Sequence, residues 1–261
     1  MDEDNKASPV GVEIDGGIAT LTFRRPEKRN AINDATADAL RAFFAAPPKS
    51  VRAVILAGEG GHFSAGLDLG EQSVRQPAEV LRHSRHWHAL MEIIQFGGLP
   101  VVACLTGSVI GGGLEIATAC HVRVAEPSAR FQLPEGKRGI FVGGGATVRV
   151  GRILGPDRMT EMMLTGRVYE AEEAHRLGLA HYLVGAGEGM ERARQLAAEI
   201  ASNAELVNYL IIQSIARIGD MSRSDGLYAE SLSAALSQAG DDAEEGLRAF
   251  LEKRAPKFRS D

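Results

Sequence analysis

A chain of 261 residues has ample length for a substantial hydrophobic core, as one large domain or as a core with an appendage. Its 29 Lys and Arg stand against 34 Asp and Glu, a formal charge of -5 that recommends no nucleic-acid partner yet allows a local basic patch for an anionic ligand. No apolar run approaches the ~18–20 residues of a membrane span, so no membrane partner is expected. The acidic start Met1-Asp2-Glu3-Asp4-Asn5-Lys6 is the opposite of a secretory leader. Cys104 and Cys120, both inside apolar segments, read as reduced core residues of a cytoplasmic protein.

Residues 1–8 read as a flexible N-terminus. Val10 to Ile14 and Ile18 to Phe23 are short apolar-rich runs separated by Asp15-Gly16-Gly17, a hairpin signal. Asn33-Asp34 can cap a helix through about Ala46, ended by Pro47-Pro48, and Val51 to Ala57 is then a buried strand. The small-residue loop Phe63-Ser64-Ala65-Gly66-Leu67-Asp68-Leu69 follows, then a helix from about Ala78 to Gln95 and a second buried strand, Val101 to Leu105. That strand feeds the triplet Gly111-Gly112-Gly113 and a buried helix starting there. His121 to Ala125 is a further strand, and a second glycine-rich loop, Gly139 to Gly145, leads into a helix near Ala146. Strands alternating with helices imply an α/β core over residues 9–200. Residues 201–261 form a helical C-terminal region, in which Leu206, Leu210, Ile211, Ile215 and Ile218 recur at helical spacing. At least half of these are expected to pack against the protein's own core and the remainder to make an oligomer contact.

Chemistry concentrates at Gly111-Gly112-Gly113-Leu114-Glu115 and, twenty residues on, Pro134-Glu135. Glycines let a substrate approach the main chain, and a helix start presents unpaired N–H groups with the positive end of a dipole. Carboxylates move protons. The triplet by itself is equally consistent with a tight strand-to-helix turn beside a surface glutamate.

Five segments in order resemble the crotonase family, also called the enoyl-CoA hydratase/isomerase superfamily, over Val10 to about Phe258. They are Arg25-Pro26-Glu27-Lys28-Arg29-Asn30-Ala31-Ile32, the loop Phe63 to Leu69, Gly111 to Glu115, Phe131-Gln132-Leu133-Pro134-Glu135, and Gly139 to Gly145. The resemblance implies a crotonase-like spiral of ββα units with a helical C-terminal oligomerisation region, assembled as a homotrimer or homohexamer. It further implies an acyl-CoA thioester substrate, with coenzyme A arriving as part of that substrate and no separate cofactor or metal. In that reading the backbone amides of Leu67 and Gly112 hold the thioester oxyanion, and Glu115 and Glu135 are the catalytic carboxylates. Losing one such donor typically costs about 10²–10³ in rate. Two glutamates favour hydration of a 2-trans-enoyl-CoA, Glu115 helping water attack Cβ and Glu135 protonating Cα. Double-bond isomerisation and non-catalytic acyl-CoA binding are the alternatives.

Lys28 and Arg29, with Arg25, form a basic cluster placed near the nucleotide end of the ligand, or simply an exposed loop. Ala31, Ala65, Gly66, Asp68, Leu69, Gly111 and Pro134 are the other ligand-binding positions that the resemblance implies, largely through backbone atoms. Lys253 and Phe258 match a region that reaches a neighbouring active site. Two departures from the family pattern, Leu67 for the commoner alanine and Val142-Gly143-Gly144-Gly145-Ala146 for Pro-Gly-Ala-Gly-Gly, lie near the acyl path, where Phe141 could also shorten the pocket. Trp87, His83, His86 and His88 could face the acyl group. Only His83 and His86 share a helical face, without ligand-spaced Cys or carboxylate, so zinc is not expected. Neither a phosphate-binding Gly-x-x-x-x-Gly-Lys-Ser/Thr nor a Gly-x-Ser-x-Gly elbow occurs.

Overall fold

The computed structural model describes residues 8–71 and 76–258. The expected flexible N-terminus therefore lies, apart from Ser8, outside the described residues. The chain opens with the expected hairpin: β1 (Val10–Asp15) pairs antiparallel with β2 (Ile18–Phe23), Val10 opposite Phe23 and Asp15 opposite Ile18. Helix α1 (Asp34–Ala45) is capped by Asn33, whose side chain accepts from Thr36 N–H. Strand β3 (Ala53–Gly58), helix α2 (Pro77–Phe96) and strand β4 (Val101–Leu105) follow within two residues of the expected ends.

Six strands make the main sheet in the order β1-β2-β3-β4-β6-β9, with β6 at Val122–Ala125 and β9 at Tyr182–Leu183. Beyond the opening hairpin every pairing in it is parallel. Because side chains alternate across a strand, β3 and β4 supply two cores at once. Val54, Leu56, Ala103 and Leu105 face the larger one, shared with α1 and α2. Ile55, Ala57, Val102 and Cys104 face the other, closed by Ala193, Leu196 and Ala197 of α7 (Gly189–Ala201). Burial pushes both free thiols, Cys104 and Cys120, up to about 12.

A second sheet, β5 (Ser108–Ile110), β7 (Arg130–Gln132) and β8 (Tyr169–Glu170), did not stand out in the sequence, its strands being two or three residues long. It carries the two loops that matter most. Between β5 and β6 lies α3 (Gly112–Ala119), every residue of which is buried. Helices α4 (Ala146–Leu154), α5 (Pro156–Thr165) and α6 (Ala171–Arg176) complete the core before α7.

The remaining chain is helical: α8 (Glu205–Ile218), α9 (Arg223–Gln238) and α10 (Asp241–Glu252). α8 docks on the end of α2, Gln213 donating to Phe96 O at 2.6 Å while the Arg217 guanidinium stacks 4.0 Å above the Phe96 ring. The expectation for its apolar stripe is corrected. Leu206, Ile211 and Ile215 are exposed, Leu210 and Ile218 only half-buried, and the residues that α8 buries are Asn208 and Ile212. Asn208 seats by donating to Ile200 O at 2.8 Å, so this helix turns its polar residue inward and leaves the stripe outward. Among the described residues, no helix is long and apolar enough to cross a membrane.

Candidate active site

Two loops meet where the small sheet crosses the N-terminus of α3. Ser64 bridges Val109 of β5, and Leu67 bridges Ile32. Ile32 N–H donates to Gly66 O at 2.8 Å and Asp68 N–H to Ile32 O at 2.9 Å, which leaves Leu67 N–H between them. On the other loop Gly111 N–H donates to Gln132 O, and Gly112 is the first residue of α3. Among the described residues neither Leu67 N–H nor Gly112 N–H has an acceptor. The two are neighbours: a β-carbon at Gly66, whose φ is +87°, would lie 3.0 Å from Gly112 N and 2.5 Å from Ile110 O. Only glycine lets the loops close this far. Gly111, at φ 53° and ψ -122°, has the same requirement for a different reason, since that conformation turns β5 into α3.

Two carboxylates complete the site. Glu115, in the first turn of α3, is 4% exposed, and its Oε1 accepts from Gly144 N–H at 2.8 Å and Ala146 N–H at 3.1 Å. Burial raises its pKa, while those two N–H groups and the Arg149 charge oppose the rise. Glu135 opens a 3-10 turn, Glu135–Arg138, and lies against Gly111, where a β-carbon would come within 2.7 Å of its Oε1. Its Oε2 is buried and has no hydrogen-bond partner among the described residues. Burial, reinforced by the Glu115 charge, lifts this carboxyl to about 7.

A cavity of about 250 Å³ joins these groups. It brings together Leu67, Gly112, Glu115, Glu135, Ala65, Leu69 and Gly111 from the sequence-derived set. Phe141, Trp87 and His83 line it too, whereas His86 bonds Arg41 and Asp38, and His88 faces Arg85. Gly66 and Pro134 are not in the wall: Gly66 O accepts from Ile32 N–H, and Pro134 precedes the turn that carries Glu135. Lys28, Arg29, Ala31 and Asp68 are not in the wall either. The Asp68 carboxylate is 5% exposed and is engaged by Arg25 at 2.8 Å and Lys28 at 2.9 Å, which hold it down to about 2. Arg25 also donates to Ala31 O at 2.7 Å, and Arg29 is an exposed left-handed residue that closes the turn. This cluster ties the Leu67 loop to the Arg25–Ile32 segment. Lys253 caps α10 in the left-handed region, and Phe258 packs on Gly246.

The sequence motifs give no role to several residues of the wall: Ser84, whose Oγ donates to Gly143 O at 2.7 Å, Val80, Arg138 and Ile140. Only Ile140 lies within a motif segment, Gly139 to Gly145. Asn30 lies within the first motif segment; its side chain donates to Glu59 O and His62 O and accepts from Arg25 N–H, pinning three segments behind the cavity. Among the described residues no group of three or more His, Cys, Asp or Glu could hold a metal.

Adjacent free amides facing two buried carboxylates define an enzyme site suited to stabilising an oxyanion while protons move at the carbons beside it. A family model described as "Enoyl-CoA hydratase/isomerase" matches residues 13–261, and the chain belongs to that family. The human enoyl-CoA hydratase domain-containing protein 2, mitochondrial, is 36% identical over 94% of this chain and 86% of its own length. A solved structure from Rhodopseudomonas palustris is 46% identical, with a TM-score of 0.92 over 94% of this chain and 95% of that one. The enoyl-CoA hydratase from Bacillus anthracis is 30% identical with a TM-score of 0.91, covering 97% and 100%. The fold is that of the crotonases.

Proposed function

We propose that the protein is an enoyl-CoA hydratase, adding water syn across the double bond of a 2-trans-enoyl-CoA to give a 3-hydroxyacyl-CoA, or running the reverse dehydration. The observation that carries this reading is the difference in partners between the two buried glutamates on either side of Gly111 and Gly112. Burial raises the Glu115 pKa, and the two amide hydrogen bonds it accepts counter that rise and favour the ionised form a base needs. Glu135, at about 7, holds a proton that it can release near neutral pH. In the proposed step the thioester oxygen lies between Leu67 N–H and Gly112 N–H. Glu115 takes a proton from water as its oxygen bonds Cβ, negative charge gathers on the thioester oxygen, and Glu135 delivers its proton to Cα as the enolate collapses. The dipole of α3 adds to the stabilisation at Gly112.

Coenzyme A enters as the substrate's carrier and the chemistry needs no second cofactor. The exposed stripe of α8 and the exposed Leu227, Tyr228, Leu232 and Leu236 of α9 support assembly as a homotrimer or homohexamer. Reduced, buried cysteines are compatible with the cytoplasm.

Product analysis after incubation with crotonyl-CoA tests the reading. A 3-hydroxybutyryl-CoA product whose formation collapses in folded Glu115→Gln and Glu135→Gln variants supports it. Migration of the double bond in a 3-enoyl-CoA without hydration identifies an isomerase instead, and binding with no turnover of either substrate identifies an acyl-CoA-binding homologue.

A further inference from the structure

Arg138 is out of place in the wall of this cavity. The lining around it is largely apolar, including Leu67, Leu69, Val80, Trp87, Ile140 and Phe141. An uncharged alkyl chain gains nothing from a guanidinium there. In a 3-10 turn residues i and i+3 eclipse, so Glu135 and Arg138 project on the same side, and both line the cavity. Lys137, one residue earlier, instead lies along Gly166. The other cations around the site are neutralised: Arg25 and Lys28 by Asp68, Arg149 by Glu92. The Arg138 side chain is exposed at the cavity wall and makes no hydrogen bond or ion pair among the described residues.

Its nearest electrostatic effect is adverse to the chemistry, since its charge opposes the rise that keeps Glu135 protonated. A residue that works against the proton donor needs another use. A second donor in the wall is also unused: Trp87 is 4% exposed and its Nε1–H is buried without an acceptor among the described residues. Both donors can take acceptor oxygens, and the described residues supply none.

We propose that Arg138 selects substrates whose acyl group carries an anionic oxygen group, a carboxylate above all, so that the preferred thioester is an acyl-CoA with a carboxylated chain rather than a simple alkyl one. Guanidinium and carboxylate match in geometry as well as charge. The inference rests on the acyl-CoA reading of the site but not on turnover, so the test measures binding.

Dissociation constants for adipyl-CoA, hexanoyl-CoA and free coenzyme A are measured by calorimetry on the intact protein and on Arg138→Leu and Arg138→Lys. Adipyl-CoA is expected to bind the parent roughly tenfold tighter than hexanoyl-CoA, the range of one charge-assisted hydrogen bond. Arg138→Leu is expected to erase that preference and Arg138→Lys to restore part of it. Equal binding of the two acyl-CoAs by the parent overturns the proposal. So does a loss in Arg138→Leu shared equally by free coenzyme A, which places the guanidinium on the carrier's phosphates. If the preference holds while no enoyl-CoA is hydrated, the hydratase reading fails and this one stands.

Discussion

Asp68 and Glu135 are both carboxylates with almost no exposure, one on the loop that carries Leu67 and the other across the cleft, and they are held in opposite states. Asp68 meets two cations at 2.8 and 2.9 Å and is driven down to about 2. Among the described residues Glu135 meets no cation at contact distance and keeps one oxygen unpartnered, and it rises to about 7. Burial is common to both, so the partner decides the role. A paired carboxylate is permanently charged and ties segments together. An unpaired one can lose and regain a proton within the physiological range, which a structural tie has no reason to do.

The largest effect is expected from breaking the unpaired side of this comparison. Glu135→Gln keeps the shape and removes the proton, and should lower kcat for crotonyl-CoA by about 10²–10⁴. The parent's rate should fall as pH rises through about 7, where Glu135 ionises, and the variant's residual rate should lack that limb. A variant retaining near-parental turnover would remove Glu135 from the chemistry. Next in size is Gly66→Ala. Its β-carbon would press on Ile110 O and Gly112 N, forcing apart the two amides, and kcat should fall by about 10² with the fold retained. Circular dichroism alongside initial rates separates this from unfolding.

Much of this contrast was written in the motifs. Glu115 and Glu135 stand out by residue type and spacing, the resemblance adds Leu67 and Gly112, and the cavity brings all four together. The opening hairpin and the strands β3 and β4 were equally legible, because continuous apolar runs and turn residues are local signals. The tie made by Asp68 was not legible. The resemblance puts Asp68 on the ligand side chiefly through its backbone, and its side chain is engaged by Arg25 and Lys28, residues 43 and 40 positions away in the chain. A pairing at that separation leaves no periodicity to read. The small sheet escaped for a related reason, since strands of two or three residues carry too little pattern, and β5 and β8 are joined only through β7. The α8 stripe showed the reverse error: its spacing was real, but periodicity cannot say which face meets the core.

On the paired side, Asp68→Asn should destabilise the protein by about 2 kcal/mol at pH 7, because it leaves Arg25, mostly buried, beside a neutral amide. The half-exposed Lys28 adds little to that figure. The direction with pH follows from the depressed value. Stabilisation by Asp68 is complete above its unfolded pKa near 4 and is lost as pH falls through about 2. Urea midpoints of parent and variant should therefore differ at pH 7 and converge below pH 2. A constant difference across that window would locate the tie elsewhere.

The smallest effect is the most discriminating, because it has the opposite sign. A carboxyl raised from 4.5 to about 7 holds its proton more tightly folded than unfolded. Below about pH 4 both states are protonated and Glu135 has no effect on stability. As pH rises from 4.5 to 7 the unfolded chain ionises first, and above 7 the folded protein must either bury a charge or keep a proton the solvent would take. Either way it is less stable than the same fold with a neutral side chain. Glu135→Gln should thus be more stable than the parent at pH 8, by about 1–2 kcal/mol, and indistinguishable from it near pH 4. A substitution that removes catalysis while raising the urea midpoint only at alkaline pH is the signature of a strained proton donor. If the midpoints instead agree at pH 8, Glu135 is not held in an uncharged state, and the difference between the two carboxylates on which the proposed roles depend disappears.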